Sequence, residues 1–93
     1  MSKDQATFQI HCLLQEVFFL NDAVINGDLT SKAACQRAQE WADEMKPHLL
    51  KLNRLTEAWV VCSISYGGLV SVSWEIKWDD GDCSRGNQTP VRQ

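Results

Sequence analysis

Between Trp59 and Trp78 the chain alternates apolar and polar residues twice, WVVCSIS and then LVSVSWEIKW, on either side of Tyr66-Gly67-Gly68. Strict alternation is the period of a half-buried β-strand, and a glycine-bearing link accepts the positive φ angles of a tight hairpin. On this reading Val60, Cys62, Ile64 and Tyr66 share one face with Val70, Val72, Trp74, Ile76 and Trp78. Ser63, Ser65, Ser71, Ser73, Glu75 and Lys77 take the opposite face. One apolar and one polar face is the pattern of an antiparallel sheet covered on one side only. A lone hairpin is marginal in water, so the rest of the chain has to supply the cover.

Two helices, at 3–26 and 31–56, are predicted to do so. In the first, Ile10, Leu13, Leu14, Val17 and Val24 recur at helical spacing, and Asn26-Gly27 supplies a left-handed stop. Phe8, Cys12 and Phe19 fall outside that stripe, so the apolar arc is wider than one contact requires. Thr30 or Ser31 caps the second helix, whose stripe runs through Ala34, Ala38, Trp41, Met45, Leu49, Leu52 and Leu55. Pro47 interrupts its hydrogen bonding and predicts a kink or break near Met45–Lys46. The expected core is Leu13, Val17, Trp41, Met45, Ile64, Val72 and Trp74. Two helices on one face of a hairpin make an α+β domain of order ααββ, covering residues 1–83. Residues 84–93, SRGNQTPVRQ, show no apolar periodicity and read as a flexible polar tail. With two strands both are edges, and exposed edges invite pairing with another chain.

At 93 residues and 44% hydrophobic, the chain is long enough for one domain and too apolar for disorder. Its net charge of −3, with both signs interspersed, lacks the basic patch of a nucleic-acid binder. The opening MSKDQATF has no signal-peptide core, and no apolar run is long enough to span a bilayer. The expected location is therefore cytoplasmic, with Cys12, Cys35, Cys62 and Cys83 as free thiols.

Asp79-Asp80-Gly81-Asp82 puts three carboxylates within four residues, but the loop lacks the spacing and closing carboxylate of a calcium site and suits a turn better. His11, His48 and the cysteines include zinc-binding types without a close pair. A Cys–His nucleophilic pair can be assembled only by arbitrary choice, since nothing local supplies a group to orient the base. The residues therefore point to no metal, no cofactor and no catalytic group, and so to a non-enzymatic protein.

Partner-binding candidates are Trp59 and Val61, which point off the main apolar face of the hairpin, and Phe8 and Phe19 on the first helix. Exposed Trp is enriched among interface hot spots. A homodimer would relieve both the open edges and the surplus apolar surface, by pairing hairpin edges into one sheet or through the Phe8–Phe19 side of the helix.

Further residues carry a family likeness: Glu16-Val17 with Ala23-Val24, Trp41, Val60-Val61-Cys62-Ser63-Ile64, Gly67-Gly68-Leu69, and Trp78-Asp79 with Gly81-Asp82-Cys83. Over residues 15–83 the chain resembles the Tctex-type dynein light chains. That family has two helices followed by a β-sheet and dimerises by strand exchange. It continues with two further strands after the Trp-Asp motif, where this chain has its polar tail. The resemblance implies an adaptor that presents a sheet edge to an extended peptide. The competing expectation is an inhibitor or immunity-type protein, of the phage or plasmid kind, that blocks a macromolecular enzyme. Peptide binding would mark the adaptor, and recognition of a folded target alone would mark the inhibitor.

Overall fold

A computed structural model of the chain describes residues 2–92. Helix α1 (Ser2–Ile25) ends in a Schellman turn, with Asp28 N–H donating to Ala23 C=O at 2.8 Å and Gly27 N–H to Val24 C=O at 3.1 Å. Gly27 sits at φ 82°, where a Cβ would be strained. Helix α2 (Ser31–Leu50) is capped by Thr30, whose hydroxyl accepts the Ala33 N–H at 3.1 Å.

The predicted extension of α2 to residue 56 is overturned. α2 runs through Pro47 without the expected break near Met45–Lys46, and it lasts only to Leu50. Leu52 N–H then bonds Leu49 C=O, Leu55 N–H bonds Leu52 C=O, and Arg54 turns the chain at φ 71°. Leu55 therefore opens a strand instead of closing a helix.

Strands β1 (Leu55–Ile64), β2 (Val70–Trp78) and β3 (Cys83–Gln88) form one antiparallel sheet in the order β1-β2-β3. The fold is α+β, two helices packed on one face of a three-stranded sheet. α2 packs chiefly on β1, and α1 packs on α2 and β2. Ala34, Ala38 and Ala42 carry small side chains at the α2 contact, and Leu13, Val17, Met45 and Leu49 fill the layer above Val60, Val70, Val72, Trp74 and Ile76.

Two expected core residues lie outside it. Trp41 is 37% exposed because the buried arc of α2 centres on Ala38, Ala42, Met45 and Leu49, leaving the indole on the flank. Ile64 is 49% exposed at the hairpin end, and Tyr66 near it is fully exposed.

The polar tail from residue 84 is also corrected, since Ser84–Gln88 join Cys83 in β3. A strand with no apolar periodicity forms here because β2 carries a second row of backbone donors and acceptors that need partners. Trp74 pairs with Gly86, and a Cβ there would lie 2.6 Å from Cη2 of the indole. Gly86 is thus the gap in β3 that the Trp74 ring occupies. At the other end, Lys3 donates to Asp80 (2.7 Å) and Asp82, and Arg54 Nε to Asp79 (2.9 Å), which fixes the β2–β3 turn.

Past β3, Asn21 holds the chain down. Extending the register from Val72↔Gln88 and the Ser71–Thr89 hydroxyl pair sets Val70 opposite Pro90, which has no N–H to offer. The Asn21 side chain takes the vacant ladder position. Its Oδ1 accepts the Val70 N–H at 2.7 Å, and its Nδ2 donates to Val70 C=O at 3.0 Å and Pro90 C=O at 2.8 Å. Arg92 then pairs with Asp22 at 3.5 Å and lies over the Phe18 ring.

Candidate functional site

The two outer strands of the sheet differ in how their edges are finished. Cys62 turns its N–H away from β2 and donates it to Gln39 Oε1 at 2.9 Å, while its C=O accepts the Cys35 thiol at 3.6 Å. Two side chains of α2 therefore close the centre of the β1 edge, a common defence against strand pairing. This corrects the expectation that both hairpin strands present open edges. β2 is interior, and the open edge belongs to β3. Residues of an antiparallel ladder alternate in where their backbone groups point. Because Val70 faces Asn21 and Pro90, its even-numbered neighbours on β2 face β3, so Arg85 and Asn87 turn their N–H and C=O groups outward.

Beside β3 lies a groove of about 780 Å³ between that strand and α1. Ile10, Leu14 and Phe18 line one side, and Trp74, Ile76 and Trp78 the floor, with Lys3, His11, Asp82 and Gln88 at the polar rim. It exists because β3 turns only Ser84, Gly86 and Gln88 toward the helix layer, too little volume to fill the space. Nothing in the apolar pattern of the sequence marks it, since the strand that bounds it is polar.

The predicted binding residues fall on opposite sides of the molecule. Phe8 and Phe19 lie on the solvent side of α1, 68% and 56% exposed. Next to Phe8 a second groove, about 430 Å³, runs between the helices and is lined by Cys12, Trp41, Met45 and His48. Trp59 and Val61 lie on the uncovered face of the sheet, half-exposed. There Trp59 Nε1 donates to Glu75 at 3.4 Å, and Val61 sits across from Ser73, which accepts from Asn87. Lys77 and Arg85 complete a ring of exposed ion pairs with Glu57 and Glu75. The sheet separates the two pairs, so one partner surface cannot use both.

The acidic turn is occupied by cations of the chain itself. The Lys3 ammonium holds the Asp80 carboxyl below the usual carboxylate range, and both Asp80 and Asp82 raise Lys3. Among the described residues no group of three or more His, Cys, Asp or Glu could hold a metal ion. The Cys62 thiol is pushed up to about 11 by burial, with Cys35 and Asp43 adding to the effect, so it is protonated at neutral pH. Cys83 is exposed at the start of β3. No helix among the described residues is long and apolar enough to cross a membrane. No family model matches the chain, and neither a curated protein nor a solved structure does.

Proposed function

We propose that this chain is a small non-enzymatic protein-binding module, working as a homodimer, that receives an extended segment of another protein along β3. The observation that carries the reading is an open sheet edge at β3, among the described residues, next to a groove with a Trp74, Ile76 and Trp78 floor and a polar rim. An added strand takes its main-chain hydrogen bonds from Arg85 and Asn87, while alternate side chains reach the Trp74, Ile76 and Trp78 floor. The Tctex-type likeness supports the same role. On that resemblance β3 would correspond to one of the two strands that follow the Trp-Asp motif in the family, with the bound segment in the place of the next.

Selection from a displayed library of random peptides, followed by calorimetry, tests the reading. Peptides of alternating apolar character should bind, and Asn87→Pro should abolish binding, because it removes an outward N–H while sparing the β2–β3 ladder. An unchanged melt would show that the fold survives the substitution. Failure to select any peptide, or binding indifferent to Asn87→Pro, would refute the edge reading. An inhibitor would then be the better account, using the flat face around Trp59 and Val61 against a folded target.

A further inference from the structure

The strand that bounds the groove already shows what it accepts, because β2 lies along its other side. In the β2–β3 register Val72, Trp74 and Ile76 stand across from Gln88, Gly86 and Ser84 on the helix-covered face. Ser73 and Glu75 stand across from Asn87 and Arg85 on the uncovered face. Side chains alternate between faces along a strand, and neighbouring strands share those faces. A strand added at the free edge therefore sends the residues facing Ser84, Gly86 and Gln88 into the groove. Those facing Arg85 and Asn87 come to lie on the open side.

Two of these positions make a demand of their own. Arg85 is the only formal charge on β3, and its side chain is 74% exposed. Its one ion pair among the described residues is with Glu75 at 3.6 Å, a carboxylate that Lys77 also approaches at 3.8 Å. The guanidinium thus keeps donors for a second carboxylate. Asp82, just before the strand, has its own cation in Lys3. Gly86 offers no side chain, and the Trp74 indole packed against it also lines the groove. With Arg85 and Asn87 making the ladder bonds, Gly86 occupies a non-bonded site of the new pair, where facing side chains approach most closely. A planar ring across from it packs on the indole.

Resting on the strand-addition reading above, we propose that the segment bound at β3 carries an aromatic residue across from Gly86 and a carboxylate across from Arg85. Running antiparallel, like each pair in the sheet, it reads apolar, polar, aromatic, acidic, apolar. Val72-Ser73-Trp74-Glu75-Ile76 presents that same order to the other edge of β3.

Synthetic peptides test the order without altering the protein. The probe is a short blocked peptide with Val-Ser-Trp-Glu-Ile at its centre, titrated by calorimetry at low ionic strength. Replacing its Glu by Lys should weaken binding about 3–10-fold, and Arg85→Glu should reverse that preference with an unchanged melt. Exchanging its Ser and Glu should also weaken binding, and replacing its Trp by Ala should do so by more than about tenfold. A probe that binds, is lost in Asn87→Pro and yet tolerates all these changes would overturn the chemistry assigned here and leave strand addition standing. A silent probe beside library peptides that do bind at the edge would do the same. Absence of binding by the probe and by every library peptide would overturn both.

Discussion

Replacing Asn21 tests whether one amide does the work of a missing strand residue. Asn21 is fully buried and makes three hydrogen bonds, two to Val70 and one to Pro90. In Asn21→Leu the volume is nearly kept, but the buried Val70 N–H and C=O, which face away from β1, lose the partner that Asn21 supplies to both. Each stranded buried group costs about 1–3 kcal/mol. The Pro90 carbonyl is partly exposed and recovers a water, so the expected loss is about 4 kcal/mol. A domain of this size has about 5–14 kcal/mol in total, so the variant should be close to unfolding at moderate temperature. Urea denaturation followed by tryptophan fluorescence reads the loss as a lower midpoint. Hydrogen exchange supplies the local measurement, since the Val70 amide should lose its protection before the centre of β2 does. Asn21→Asp separates the donor from the acceptor: the new carboxyl faces two carbonyls and is driven to its neutral form. Its folded pKa is raised above the unfolded value, so this variant should be most stable at low pH and lose stability as pH rises through that folded value. A stability within about 1 kcal/mol of wild type in Asn21→Leu, with Val70 still protected, would refute the ladder argument.

Three further outcomes follow from the fold. Gly86→Ala should cost about 1–3 kcal/mol, because the methyl collides with the Trp74 ring, and should shift the tryptophan emission; an unaltered melt would show that the ring does not need that gap. The Asp80 carboxyl should titrate below the usual carboxylate value of about 3.9 and return toward it in Lys3→Met, as read by NMR. Its folded pKa is depressed, so the contribution is present above the unfolded pKa and is lost as pH falls through the folded one. At pH 8, iodoacetamide should label Cys83 and leave Cys62 unmodified in mass spectra, since the latter is protonated and buried; rapid labelling of Cys62 would contradict its placement.

The hairpin was legible in the sequence because both of its strands obey a period of two, and α1 because its stripe and its Asn-Gly stop agree. β3 was not, since its residues are chosen to fit Trp74 and the ladder of β2 and carry no pattern of their own. Helix α2 misled twice. Trp41 continues the stripe by spacing, yet the alanine one residue later faces the sheet, and the stripe runs on through Leu52 and Leu55 where the backbone has already changed direction. The open groove followed from β3 and so was hidden with it. Asn21 did leave a trace: it falls one helical turn after Val17, where the stripe calls for an apolar side chain. A polar residue at such a position needs a buried partner, and here the partners are backbone groups remote in sequence.

The closed β1 edge has a consequence for polymerisation. Endless growth of a sheet requires each molecule to offer two free sides, one to receive a neighbour and one to pass the template on. This chain has one, because Gln39 and Cys35 act as a terminator on the other. Strand addition at β3, by a foreign segment or by the same strand of another molecule, uses up the last free side and stops. Growth of one continuous sheet is thereby limited, and the limit rests on the Gln39 amide and the Cys35 thiol, which hold the backbone of Cys62. Gln39→Ala should therefore reveal itself less in the melting temperature than in slow thioflavin-positive aggregation at high concentration.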